Sequence, residues 1–354
     1  MPSFSIYEDV PVTTSVTYAP FSEEWLTRHV EPIIDPTLQI VDAHHHLWDL
    51  PRQRYMIEDI LPDLRSGHDV TATVYVDCGS MYRRAGVPEL RAVGEVEFAN
   101  GVAAMAASGD YGATRICAGI VSFGSLHLGA TCKPVLEAML RAGGERFKGV
   151  RQASAWDPDL KVSRPVPERP AGLLLDSRFR EGFACLAPLG LTFDAYLFQP
   201  QIPELTSLAR AFPETPIVLD HLGGPLGVGR YAGRSDDMFA AWKSAMTELA
   251  KCSNVFVKLG GLGMKIAGFD FHERGTPASS EEIARAWRPH IETAIELFGA
   301  NRCMFESNFP PDKGSCSYLV LWNVFKRIVA GATPTERENL FSRTAERFYR
   351  LAPA

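Results

Sequence analysis

Apolar and β-branched residues gather in short runs that recur from residue 39 onward. They are QIVDAHHHLW (39–48), VTATVYVDC (70–78), RICAGIVSF (115–123), FKGVRQASA (147–155), LTFDAYLFQ (191–199), PIVLDHLG (216–223), NVFVKLGG (254–261) and RCMFESNFP (302–310). Their length and their Val, Ile and Phe content predict strands. Most of the intervening stretches, such as PELTSLARAF and DDMFAAWKSAMTELAKC, carry helical spacing. Strands alternating with helices imply right-handed crossovers and a parallel sheet. Eight such units predict an α/β protein built as a closed (β/α)8 TIM barrel, with a doubly wound open sheet as the rival.

Two helix starts are signed by capping boxes. In SSEE (279–282) Ser279 is the cap and Glu282 the third helical residue. In TPTE (333–336) Thr333 is the cap and Pro334 suits the first helical position. The second box opens a C-terminal helix, TERENLFSRTAERFYRL. Residues 1–38, proline-bearing and aperiodic, read as an N-terminal arm that wraps the body or meets a partner, and 39–354 as one barrel domain. Long loops near 80–95, 156–175, 223–236 and 261–280 each follow a strand's carboxyl end, the face that builds barrel active sites.

The bulk composition narrows the function. A chain of 354 residues, 46% hydrophobic and 22% charged, is an ordinary globular sequence. Its net charge of −6, with no Lys/Arg cluster among aromatics, predicts no nucleic-acid or anionic-membrane partner. The first residues lack a signal-peptide pattern, and no apolar run approaches membrane-spanning length. Seven scattered cysteines without a C-x-x-C pair predict reduced thiols in a cytoplasmic protein. The glycine-rich HLGGPLGVGRYAG and KLGGLGM do not match G-x-G-x-x-G followed by a helix and a later acid, so no dinucleotide site is expected.

The candidate chemistry starts at the three consecutive histidines. Side chains alternate along a strand, so His44 and His46 share one face and His45 takes the other. The outer two are a candidate metal pair. His221 ends the sixth run. Glu306 and Asn308, two apart, share a face of the eighth, and a carboxylate inside a barrel needs a cation or a partner. Asp77 ends the second run as a further acid–base candidate. Arg151 and Lys258, at the fourth and seventh, are positioned to clamp a carboxylate or polarise a carbonyl. Gln199 suits substrate hydrogen bonding, and Asp194 reads equally as inward or outward.

Read together and in order, VDAHHHLWD, KGVRQ, LTFDAYLFQPQIPEL, IVLDHLGGP, NVFVKLGGLG and MFESNFP resemble the amidohydrolase superfamily, in its branch of lactonases and decarboxylases. The resemblance implies a metal or substrate-activating site at the carboxyl end of the barrel. His44 and His46 match its first-strand H-x-H, and His221 its strand-six histidine. Two positions depart. Gln199 stands near a usual strand-five histidine, and Asn308 stands where the branch carries an Asp that acts as base or ligand.

These readings leave His44, His46, His221 and Glu306 as the metal set, Glu306, His221 and Asp77 as catalytic candidates, and Arg151, Gln199, Lys258 and Asn308 as substrate contacts. The first function implied is metal-dependent hydrolysis of a small lactone or amide of a carboxylic acid, with zinc as the expected ion. An alternative is a non-haem iron or manganese hydroxylase resembling the 2-aminoisobutyrate hydroxylase components, which would need a reductase partner. A third is a degenerate metal-binding subunit supporting an active paralogue. A homo- or hetero-oligomer is expected in each case.

Overall fold

A computed structural model of the protein describes residues 17–50, 53–163, 166 and 169–352. All eight runs form strands: β1 (Gln39–His45), β2 (Asp69–Val76), β3 (Arg115–Phe123), β4 (Phe147–Arg151), β5 (Thr192–Ala195), β6 (Ile217–Leu219), β7 (Val255–Leu259) and β8 (Cys303–Phe305). They pair in sequence order, each parallel to the next. The ring is completed just past β8, where Asn308 N donates to His44 O at 2.9 Å and His46 N donates to Phe309 O at 2.8 Å. The result is a (β/α)8 barrel, and its seam runs through the H-x-H motif. Several strands stop short of the apolar runs that predict them. β6 ends at Leu219 because His221 and Leu222 take left-handed backbone, with φ of 54° and 57°.

Inside the barrel, Val41, Ala43, Ala72, Val74, Val76, Val121, Val218 and Met304 form one cluster with Ala345, Phe348, Tyr349 and Leu351. The helix Thr344–Tyr349 therefore plugs the floor, with the Phe348 ring 4.9 Å from Phe256. Both capping boxes are formed, at Ser279 and Thr333. The C-terminal helix is not uniform: a π-helical turn at Asn339–Arg343 separates Pro334–Glu338 from Thr344–Tyr349.

At the other end the loops after the strands build a roof. Ala155, Val162, Phe198, Leu226, Tyr231, Met264 and Ile266 form a separate apolar cluster there. Asp157 fixes it by accepting from Tyr231 Oη at 2.6 Å and from Arg230 at 2.8 Å. The described part of the arm lies on its own barrel. Asn323 receives Ile34 N at 2.9 Å and donates to Glu31 at 2.6 Å, and Lys326 donates to Asp35 O at 2.7 Å. Residues 1–16 of the arm lie outside the described residues. All seven cysteines are free thiols, and among the described residues no helix is long and apolar enough to cross a membrane.

Truncating Phe348 opens a cavity in a floor with nothing beneath it to collapse inward. Phe348→Ala is expected to cost about 3 kcal/mol of unfolding free energy, measured as a lower urea midpoint at unchanged slope.

Candidate active site

A register shift in β1 between Asp42 and His45 makes the site possible. Val41 and Ala43 already face the barrel interior, and strict alternation would turn His44 outward. The irregularity resets the parity, so His44 and His46 point inward while His45 bonds Thr73 Oγ1 at 2.8 Å on the outer side. The two inner rings meet nearly at right angles, with Nε2 to Nε2 at 3.2 Å. His46 Nδ1 lies 2.9 Å from Val76 O and must donate to it, which leaves its Nε2 as a lone pair. Trp48 stacks on His46 at 5.8 Å, and Tyr18 of the arm stacks on Trp48 at 5.7 Å.

The opposite edge of His44 meets a different set of groups. Its Nδ1 is 3.0 Å from Glu306 Oε2, 3.1 Å from Lys258 Nζ and 3.7 Å from Asp220 Oδ1. Glu306 Oε1 in turn receives His221 Nδ1 at 2.7 Å and His221 N at 3.1 Å. Burial opposes the charge on Glu306, but His221 and His44 outweigh it and hold the carboxyl down at about 2. An ionised Glu306 can only accept, so His221 Nδ1 carries a proton and donates it, and Nε2 is the ring atom turned away from Glu306. His44 is pulled down to about 4, first by burial and then by Lys258, so its imidazole is neutral.

Glycines make room for these contacts. A Cβ at Gly260 would lie 2.4 Å from Glu306 Cγ, and one at Gly261, where φ is +73°, would lie 2.4 Å from His221 Cβ. The KLGG run thus serves close approach of strands. Left-handed backbone at His221 also breaks the alternation, so that neighbouring Asp220 and His221 both turn into the barrel.

Lys258, expected to clamp a substrate carboxylate or polarise a carbonyl, is fully buried among the protein's own acids. Its ammonium donates to Asp194 Oδ2 at 2.7 Å and Asp220 Oδ1 at 3.0 Å and lies 3.1 Å from His44 Nδ1, whose own proton is directed to Glu306 Oε2, which leaves the His44 lone pair on Nε2. Tyr349 of the floor helix also donates to Asp194 Oδ2, at 2.6 Å. Burial pushes Asp194 up to about 6 against the pull of Lys258. Asp220 is held well below the usual range because Lys258 and His44 overcome its burial.

Arg151 reaches the cluster from β4. Its Nε donates to Asp77 Oδ1 at 2.5 Å and one terminal nitrogen donates to Asp77 O. The other terminal nitrogen lies 3.5 Å from His44 Nε2 and 3.7 Å from Asp220 Oδ2. Asp77, expected as an acid or base, is thus occupied in aiming Arg151. Gln199 is not brought to the histidines: its Nε2 donates to Met238 O at 2.6 Å. The strand-five residue beside them is Tyr196, whose ring is 5.5 Å from His221 and lies under Arg151 at 5.6 Å. Asn308 gives its Nδ2 to Asp312 Oδ1 at 2.9 Å.

This geometry divides the four expected metal ligands. His44, His221 and Glu306 offer donor atoms within 4.8 Å of one another, but on the Nδ1 edge of His44, where the Lys258 ammonium already stands. His46 lies at the other edge, so the four cannot converge on one ion through a single His44 nitrogen. Two histidines and one carboxylate, the set expected of an iron oxygenase, do come together in His44, His221 and Glu306, but with the Lys258 ammonium at the edge they would share, and His46 is not part of that set. The His44–His46 pair does fit a cation. Two nitrogens bound tetrahedrally at ~2.0–2.1 Å stand about 3.3 Å apart. The charges fit too. Asp77, Asp194, Asp220 and Glu306 stand beside Arg151 and Lys258, with Arg169 also acting on Asp77, so acids outnumber bases in a buried site. A groove of about 690 Å³ lies elsewhere, between helices Ile202–Ala211 and Ser235–Leu249, and its lining brings together no comparable set of groups.

The sequence model of the family described as Amidohydrolase matches residues 41–351. The chain belongs to the amidohydrolase family. The protein y4mH of Sinorhizobium fredii is 31% identical over 337 residues, spanning 89% of this amidohydrolase and 99% of the relative. An L-fucono-1,5-lactonase of Burkholderia multivorans is 30% identical across 59% of this chain and 64% of its own. Among solved structures, an amidohydrolase of Burkholderia multivorans with bound zinc superposes with a TM-score of 0.68. It is 22% identical and covers 89% of this chain and all of the other, a likeness of fold.

Removing the buried ammonium strands two carboxylates. Lys258→Met is expected to cost about 3–5 kcal/mol, and adding Asp194→Asn should recover part of it. Chemical denaturation of the single and double variants checks this.

Proposed function

We propose that this amidohydrolase hydrolyses a lactone of a small carboxylic acid, with a divalent cation seated on the Nε2 atoms of His44 and His46. The observation that carries the reading is the 2.7 Å contact of Glu306 with His221, next to that seat. A buried carboxylate on Nδ1 fixes the imidazole with its Nε2 ready to take a proton, the arrangement of a general base and its orienting acid. Glu306 thereby acts on His221 and His44 from behind, not as a ligand beside His46.

A cation bound there supplies Lewis acidity and lowers the pKa of a coordinated water to about 7. The remaining roles fall to the chain. His221 Nε2 takes the proton of the attacking water. Arg151, with Nε and one terminal nitrogen held by Asp77, presents its other terminal nitrogen towards the site. A donor fixed in advance stabilises the oxyanion that forms as the lactone carbonyl is attacked. His221, once protonated, returns the proton to the ring oxygen that leaves. Tyr196 and the roof cluster keep bulk water from these groups. The lactonase relative supports a sugar-acid lactone as the substrate class, and the zinc-bearing structural neighbour supports a divalent ion without deciding which one.

Metal analysis of the purified protein and turnover of L-fucono-1,5-lactone test the reading together. His46→Ala should lose the bound cation and most turnover. Glu306→Gln should keep the cation and lower kcat by about 10²–10⁴-fold with KM little changed. A metal-loaded wild type that opens no sugar or small-acid lactone, or a His46→Ala protein with undiminished metal, overturns it.

A further inference from the structure

Asn308 stands where the family resemblance leads one to expect an acid, yet a carboxylate has not left the neighbourhood. Asp312, four residues on, is fully buried. Its Oδ1 accepts Asn308 Nδ2 at 2.9 Å and its Oδ2 accepts Gly263 N at 3.0 Å. Its own N–H donates to Asn308 O at 3.1 Å. Asn308 is in turn tied to the seam through its N–H to His44 O and holds left-handed backbone, with φ of +50°. The pair adjoins the proposed base: Asp312 is close enough to His221 and Glu306 for both to act on its carboxyl, which burial pushes up to about 7.

A primary amide has two chemically different ends. With Nδ2 committed to Asp312, the acceptor Oδ1 is the end left over, and no described residue donates to it. A buried carboxylate is a costly way to fill space, since an apolar side chain would do so without desolvating a charge. What it achieves here is orientation: Oδ2 is held by Gly263 N and Oδ1 by Asn308 Nδ2, an arrangement that is complete in the ionised form of a carboxyl that burial pushes up to about 7, and that admits one of the two amide rotamers.

We propose that Asp312 is a positioning residue that locks Asn308 with Oδ1 towards the catalytic cavity, where it accepts a hydrogen bond from the attacking water or a substrate hydroxyl. The role rests on the hydrolytic reading above. Asn308 orients the nucleophile by accepting one of its protons in a hydrogen bond, while the proton that is removed goes to His221. The two tasks that one strand-eight acid could combine are thus divided between Asn308 and His221.

The isosteric change Asp312→Asn lets the new amide donate to Asn308 Oδ1, which flips Asn308 and turns its NH2 to the cavity. With L-fucono-1,5-lactone, kcat should fall about 100-fold while KM stays within about twofold. The exchanged pair, Asn308→Asp with Asp312→Asn, restores one donor and one acceptor and again points an acceptor inward. It should recover kcat to within about threefold of wild type. A merely structural role would move stability and not this split. Spectra of protein labelled with ¹⁵N-asparagine read the lock without any turnover: the Asn308 side-chain NH2 should exchange slowly with water in the wild type and rapidly in Asp312→Asn. Equal exchange in the two proteins, an unchanged kcat in Asp312→Asn, or an exchanged pair as inactive as the single variant would overturn the proposal. A slow-exchanging Asn308 amide in a protein that opens no lactone would defeat the hydrolytic reading and leave the lock standing.

Discussion

Around Lys258 and Arg151 the barrel interior carries the carboxylates of Asp77, Asp194, Asp220 and Glu306 where water scarcely reaches, and the organisation of the site follows from the need to neutralise them. Lys258 is the centre of that arrangement. It joins Asp194 and Asp220 below to the Nδ1 edge of His44 above. Once that edge is occupied, the Nε2 edge is the one free for chemistry, and His46 meets it there. Glu306 then has two imidazoles to serve and no room beside His46. An apolar residue at 258 would leave carboxylates that no neighbouring group could discharge.

Backbone geometry delivers these groups to one point. The seam that completes the barrel hydrogen-bonds the H-x-H segment to Asn308 and Phe309, so both halves of the site are set by the same two bonds. Gly260 and Gly261 allow Glu306 and His221 to approach β7 more closely than any side chain would permit. The roof cluster and the Tyr18–Trp48–His46 stack hold the mouth from above. The arm thus reaches the site's outer wall, although the family match starts after it.

Much of this was legible in the chain. Eight apolar runs and two capping boxes specify the barrel because they report local backbone preference. Four of the site's groups, His44, His46, His221 and Glu306, stand out because imidazoles and a carboxylate at strand ends have few structural uses. What the alternation rule could not reach lies where alternation fails. Alternation beside an inward His221 turns Asp220 outward, so nothing in the chain singles Asp220 out, and left-handed backbone turns both inward. Lys258 read as a clamp because it ends a strand, and only the fold shows acids on either side of it. Gln199 yielded its place to Tyr196 because the strand stops at Ala195 and the chain turns before reaching it. Asp312 had no signal, since its partner is a side chain beyond a strand's end.

The floor helix has a consequence for the site above it. Tyr349 hands its phenol proton to Asp194 from a segment synthesised after every strand of the barrel. Without that helix the eight strands surround a floor open to solvent, and the Asp194–Lys258 pair lacks a hydrogen bond that tunes it. The electric field at the histidines thus depends in part on the last helix of the chain, whose phenol completes the shell around the Asp194–Lys258 pair in the finished barrel.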